Sequence, residues 1–252
     1  MKKHFIFLLL LTIFISCEKE YIIKNNSVYM KGWNEGVGNY ERLLKNADAK
    51  SFSAIEADDN LYGKDRFYVY YENEIIPGAD PNTFKHIKKG FAIDKNRAYY
   101  YNDSIENSNP KEFKVIDYYF SKNYENVFYK TKPLDVCSVN NFTYVFPNED
   151  DFWGRWSTDG CFYFYNNYKV PSNNYKNITV YQGSHGISSD NKYVYQYDKN
   201  YFEENERNVF IKEKGILVKD TIDIKTITNE NNILKDKFGN IYNNVYGNKN
   251  NF

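Results

Sequence analysis

The sequence predicts an all-β fold of tandem units, each about 30 residues long. Three observations carry this. Aromatic residues make up 19% of the 252, with 26 Tyr and 19 Phe against 2 Met. Tyr and Phe favour strands, and few Ala and Met disfavour long helices. Two motifs recur through the middle of the chain at one period, which marks a repeat architecture. Polar, turn-forming groups separate short Tyr-rich runs, the pattern of hairpins.

From the N-terminus, Lys2, Lys3 and His4 form a basic head, and residues 5–15 are apolar except for Thr12. Eleven residues at ~1.5 Å rise give about 16 Å of helix, too short for a ~30 Å hydrocarbon core. This is the form of a cleavable export signal, 1–16. It ends at Ser16-Cys17, followed by Glu18-Lys19-Glu20. A small residue then Cys at this place resembles the lipobox of bacterial lipoproteins, although Phe14 stands where Leu is commoner. The resemblance implies acylation of Cys17, cleavage before it and a lipid bilayer as partner; the alternative is an ordinary signal with a chance Cys. Two or three acyl chains suffice for stable anchoring. Residues 17–38 show little periodicity and read as a tether, and 39–44 as a short helix or turn.

The repeat follows, over 39–200. Its first motif is an aromatic with Ile or Val three residues later: Phe52/Ile55, Phe84/Ile87, Phe113/Ile116, Phe142/Val145 and Tyr175/Ile178. The aromatics are 32, 29, 29 and 33 residues apart. Asp80-Pro81 and Asn109-Pro110 place a capping side chain before a residue preset for a helical start. One helical turn is thus expected before a short strand, with Phe84 and Phe113 as equivalent core residues. The second motif is a polar turn and a Tyr-rich run, as in Asp94-Lys95-Asn96 before residues 98–101. Asp and Asn bond their own backbone in such turns. Three strands per unit are expected: 84–87, 91–93 and 98–101. One unit cannot bury a face alone, so neighbours must pack. Residues 236–242 are a worn copy. The expected arrangement is a curved open array; a closed propeller is the alternative, disfavoured because blades usually need about 40 residues for four strands. Residues 201–242 read as capping strands (209–211, 216–218, 222–227) and 243–252 as a frayed tail.

The turn-plus-tyrosine motif, with the Ala79-Asp80-Pro81-x-x-Phe84 element, resembles the DKNYY repeat family of bacterial envelope and secreted proteins. The best copies span 65–129, and weaker ones extend from about 46 to 195. Departures occur at Asp65-Arg66-Phe67, Ser121-Lys122-Asn123 and Thr158-Asp159-Gly160. The resemblance implies architecture and an envelope location, and brings no catalytic residues.

Charge excludes one class of partner: 33 basic and 33 acidic residues leave no footprint for nucleic acid. Catalytic motifs for hydrolases, metalloproteases and nucleotide enzymes do not occur. His86 falls in the repeat and His185 in a Gly-rich turn. No catalytic residue, metal ligand set or cofactor is assigned. Cys137 and Cys161, 24 residues apart, either pair in an oxidising compartment or stay free thiols. The residues that break the repeat are 147–156, with Glu149, Asp150, Asp151, Trp153, Arg155 and Trp156. Carboxylates beside Trp suit a sugar, and three acids suit a hard cation. The structural alternative is an inserted loop whose Trp side chains plug the sheet. The function expected is a membrane-anchored, non-enzymatic binding or scaffold module for an envelope protein or glycan. The alternatives are a polysaccharide hydrolase using residues 149–151, and a structural spacer.

Overall fold

The computed structural model describes residues 19–57, 61–147, 154–172, 174–182 and 186–190, and beyond them the backbone of Tyr193–Lys199, Arg207–Glu213, Thr228–Glu230, Ile233–Lys235 and Ile241–Tyr242. Among these residues the chain is all-β, in tandem units of small antiparallel sheets, with only two 3-10 turns and no closed barrel. It divides into two compact units, residues 1–104 and 105–252.

The third sheet shows how one repeat is built. Its strands are Lys85–Lys88, Phe91–Ile93, Ala98–Tyr100 and Asp103–Ser104, paired in sequence order. The repeat therefore has four strands, not the three expected. Tyr101, expected in the third strand, lies in the turn at φ 54°. Its amide donates to the Gly90 carbonyl at 2.7 Å. Glu72, Lys130 and Asn166 take the same place, each at φ 50–55°. The fourth strand has only two residues, too few for a visible alternation. The blade-length objection to a propeller therefore loses its premise, because such strands fit four into one repeat.

Four other sheets share this plan: 53–75, 114–133, 143–169 and 179–213. In the last, Arg207–Glu213 is the fourth strand and pairs with Tyr193–Lys199. Part of the expected cap thus belongs to the repeat; 216–218 and 222–227 lie outside the described residues, as do the signal, Cys17 and the tail. The sheet formed by Thr228–Glu230, Ile233–Lys235 and Ile241–Tyr242 flanks the worn turn.

Residues 20–43 are neither tether nor helix. Glu20–Lys24, Ser27–Asn34 and Gly38–Leu43 form a three-stranded sheet. The tight turn at Asn25-Asn26, both at positive φ, replaces the longer polar turn and hides the repeat. The Leu44 amide donates to Val28, as Ile76 does to Val69. These three strands therefore match the second, third and fourth of a full repeat, and no counterpart of the first lies among the described residues.

Cores form between successive sheets. In the first unit, Val28, Met30 and Leu44 pack with Leu61 and Tyr70, and Tyr62 and Val69 with Phe84, Ala92 and Tyr99. Tyrosines clamp these joints. The Tyr21 hydroxyl donates to the carbonyls of Leu61 and Glu72 at 2.6 and 2.7 Å. One sheet on, Tyr62 donates to Gly90 and Tyr101 at 2.9 and 3.2 Å. Gly63 lies beneath Phe52, whose ring is 2.5 Å from where a Cβ would stand. In the second unit, Phe120, Val127, Leu134 and Phe142 form one cluster and Trp156, Tyr165, Val170 and Ile178 another.

Three expectations about the first motif need correction. Phe84 is buried but Phe113, at the end of a 3-10 turn capped by Asn109, is half-buried. Ile87 is exposed, because a bulge between His86 and Lys88 turns it outward. In the last copy Ile178, not Tyr175, precedes the first strand and enters the core, because the loop is longer: Ile178 lies six positions after Ser172, which bonds Asp190, whereas Phe84 lies four after Asp80, which bonds Asp94.

Every repeat buries a polar side chain at the turn after its second strand: Asp65, Asp94, Asn123, Asp159 and Asp190. Asp94 Oδ1 accepts the amides of Asn96 and Arg97 at 2.7 and 2.9 Å. Its Oδ2 accepts the Asp80 amide at 2.9 Å and the Tyr99 hydroxyl at 2.7 Å. Burial pushes this carboxyl up, but the hydrogen bonds outweigh burial and hold it below its ordinary range. Asn123 keeps the Oδ1 bonds to Glu125 and Asn126. Its Nδ2 is buried without a partner, and Phe128 stands where Tyr99 does.

This substitution within the chain predicts a double-mutant cycle. Asp94→Asn should cost about 1–3 kcal/mol, since the carboxamide meets the Asp80 amide as a second donor. Tyr99→Phe should cost a similar amount. The pair together, copying Asn123 and Phe128, should cost less than the two singles added, by about 0.5 kcal/mol or more. Urea titration of the four proteins gives the coupling, and strict additivity would disprove the linkage.

Candidate functional site

The buried side chain fixes one end of each turn, and the next three residues form its tip. The tips differ: Arg66-Phe67-Tyr68, Lys95-Asn96-Arg97, Tyr124-Glu125-Asn126 and Gly160-Cys161-Phe162. The first two are exposed at all three residues. Phe67 is 56% exposed and Tyr124 69%. The Arg66 guanidinium lies 4.6 Å over the Phe67 ring. Backbone geometry is therefore constant while the surface chemistry varies.

The tips are also tied to the loop that precedes each sheet. Arg66 Nε pairs with Asp48 Oδ2 at 3.0 Å, and Lys95 Nζ with Asp80 Oδ2 at 3.0 Å. Hydrogen bonds from Lys95 and Thr83 lower the Asp80 carboxyl to about 2. In the 143–169 sheet Cys137 takes the loop position, since its amide donates to Asp159 Oδ2 at 2.6 Å as Asp80 donates to Asp94. Cys161 lies in the tip. The two cysteines form a disulfide, so a covalent bond stands where the 53–75 and 85–104 repeats have an ion pair.

Cys137, Asp159 and Cys161 also bring three metal-ligand atoms within 4.8 Å of one another. The arrangement is committed elsewhere. The sulfurs are bonded together, and Asp159 accepts the amides of Cys137, Cys161 and Phe162. A metal needs thiolates, so this chemistry belongs to the reduced chain alone.

Of the residues that break the repeat, Arg155 and Trp156 are described; Glu149, Asp150, Asp151 and Trp153 lie outside the described residues. Trp156 is a core residue, 3% exposed. It pairs with Tyr165 as Tyr62 pairs with Tyr71 and Phe120 with Tyr129. Its ring is therefore unavailable to a ligand. Counting reveals this in the sequence: an aromatic stands three residues before the buried turn residue in Tyr62/Asp65, Phe91/Asp94, Phe120/Asn123 and Trp156/Asp159. Gly154 precedes it where a Cβ would stand 2.6 Å from the Tyr165 ring.

Arg155 is held from three sides. Its Nη1 donates to Asp117 Oδ2 at 3.3 Å and its Nη2 to the Pro147 carbonyl at 3.2 Å. The guanidinium lies 3.8 Å over the Tyr144 ring. Tyr144 donates its hydroxyl to the same Asp117 oxygen. Burial and then that bond push the Tyr144 phenol up, so it stays protonated. Asp117 Oδ1 accepts the amides of Tyr119 and Phe120, both at 2.8 Å. Charge is thus matched, although Arg155 Nε is buried without a partner, and the cluster ties the segment after the insertion to the 114–133 sheet. Sequence spacing gives no sign of it, because the members are 27 and 38 residues from Asp117. His86 stacks beside Tyr62 at 5.5 Å, a packing position, and His185 lies outside the described residues.

The sequence profile of the DKNYY family matches residues 21–78 and, overlapping them, 62–199. The chain belongs to the DKNYY family. The match begins at Tyr21, the second residue of the first strand, and the overlap reflects the repeats. No curated protein and no solved structure matches the chain.

The disulfide yields a stability test. It closes a loop of 24 residues, for which chain-entropy reasoning gives about 3 kcal/mol. Cys137→Ala, Cys161→Ala and reduction of the wild type should lower the urea midpoint by similar amounts. Reductant should leave both variants unaffected. A midpoint that does not change on reduction would show that the loop is held without the bond.

Proposed function

We propose that this DKNYY-family chain is a lipid-anchored protein of the bacterial cell envelope. It acts as a non-enzymatic scaffold that binds an envelope protein or glycan. The observation that supports binding is the contrast between constant bases and variable exposed tips. Aromatic and Arg side chains carry much of the energy of protein interfaces, and rings such as Phe67, Tyr68 and Tyr124 also suit sugar stacking. Asp65, Asp94 and Asp159 spend their oxygens on backbone amides and, in the first two, a Tyr hydroxyl, which favours a supporting role over acid–base chemistry. Anchoring is supported by the short apolar run that ends at Ser16-Cys17.

Two experiments test this. The soluble form from Glu18 onward, used as bait in a native envelope extract with cross-linking, should retain a partner. Phe67→Ala with Tyr68→Ala, or Tyr124→Ala, should reduce the yield while shifting stability by no more than about 0.5 kcal/mol each, as for surface positions. Equal yield from all variants would reject the tips as the binding surface. Turnover of an envelope polysaccharide that Asp150→Asn abolishes would instead establish the hydrolase. For the anchor, a clickable palmitate analogue should label wild type in cells and spare Cys17→Ala; equal labelling of both would reject acylation at Cys17.

A further inference from the structure

The first sheet packs one face, with Val28, Met30 and Leu44, against the second sheet. Its register sets the other face. Ile22, Tyr29 and Leu43 form one cross-strand row, Glu20, Lys31 and Glu41 the next, and Trp33 follows. This outer face is open: Leu43 is 47% exposed and Trp33 43%, and Val37 in the adjoining turn is 74%. Its charges are matched. Lys31 pairs with Glu20 at 2.7 Å, Lys24 with Glu41, and the Lys24 ammonium lies 4.9 Å over the Tyr29 ring.

The start of the first strand limits what can cover this face. Glu20 is three residues after Cys17, and three residues span at most about 11 Å. No tether intervenes. An anchor at Cys17 therefore holds the sheet within a short distance of the bilayer.

We infer that the outer face of the first sheet rests on the surface of the bilayer that holds Cys17, with Trp33, Val37 and Leu43 in the interfacial layer. Trp and Tyr favour that layer, where an apolar ring and a polar edge both find partners. Lys24 and Lys31 keep their head groups at the water side along apolar stems. The matched charges make the contact independent of anionic lipid. The inference rests on the anchoring proposed above. A second copy of the chain is the competing occupant, and the short reach from Cys17 favours the bilayer.

The test supplies the anchor chemically, so its outcome is separate from native acylation. Cys137 and Cys161 are bonded to each other, which leaves Cys17 as the remaining cysteine of three. The chain from Cys17 onward is coupled through that thiol to a maleimide-headgroup lipid in phosphatidylcholine vesicles with brominated acyl chains. Tryptophan emission should be quenched, and Trp33→Phe should remove most of the quenching. Leu43→Ser, exposed and outside the core, should weaken it. Equal quenching in wild type and Trp33→Phe, or none in either, overturns the inference. Sedimentation of the soluble chain from Glu18 as a dimer that Leu43→Ser dissociates overturns it in favour of a second copy. Labelling of Cys17 in cells reports on acylation alone.

Discussion

A buried polar side chain at one turn holds each repeat together. The sheets cannot do this by themselves, because many of their strands have two or three residues and so few ladder bonds. Asp94 joins three separate stretches: its own turn at residues 96 and 97, the preceding loop at Asp80, and the third strand at Tyr99. Burying a carboxylate is costly unless its oxygens are filled. Loss of a donor therefore leaves a buried charge with fewer partners. Asp65 repeats the arrangement with Phe67, Tyr68, Asp48 and Tyr70. Asp159 keeps the backbone part with Phe164 on the third strand, where no hydroxyl is available.

The loop beside that turn is attached by whichever bond its residues allow. Asp48 with Arg66 and Asp80 with Lys95 use ion pairs, while Cys137 and Cys161 use a covalent bond. Exposed ion pairs contribute little, so the first two repeats lean on the buried Asp. The disulfide adds most where the sequence inserts extra chain, since Cys137 is 22 residues from Asp159 but Asp80 only 14 from Asp94. A longer loop has more entropy to lose on closure. The Arg155–Asp117–Tyr144 cluster secures the far side of the same insertion.

The period, the Asp-centred turn and the Tyr-rich strands were legible because each has a local cause: turn chemistry or alternation within a few residues. What escaped the sequence depends on distance or on very short elements. The fourth strand is two residues after a left-handed Glu72 or Tyr101, which leaves no alternation to read. The first sheet lacked its signature because Asn25-Asn26 closes a tighter turn. Trp156 looked like a ligand platform because it sits among acids; its offset of three from Asp159 assigns it to the core. The two corrections at Ile87 and Ile178 come from a bulge and a lengthened loop, neither of which alters composition.

Among the described residues the first sheet lacks the strand that opens a full repeat. In the full repeats the first strand ends before the second by as few as two residues, as at Lys88 and Phe91, or as many as eleven, as at Tyr144 and Trp156. Counted back from Glu20, those intervals would end such a strand between residues 8 and 17, nearly all of which the secretory reading assigns to the signal. On the lipoprotein reading proposed above, cleavage before Cys17 would leave the sheet to be built from the second strand onward. Tyr21 clamps the next sheet, and its two bonds to Leu61 and Glu72 tie the first strand to the rest of the unit. The edge left beside Glu20–Lys24 would invite pairing with another chain. Glu20 and Lys24 place charges along it, and a bilayer within about 11 Å of that edge would restrict the approach of a second strand.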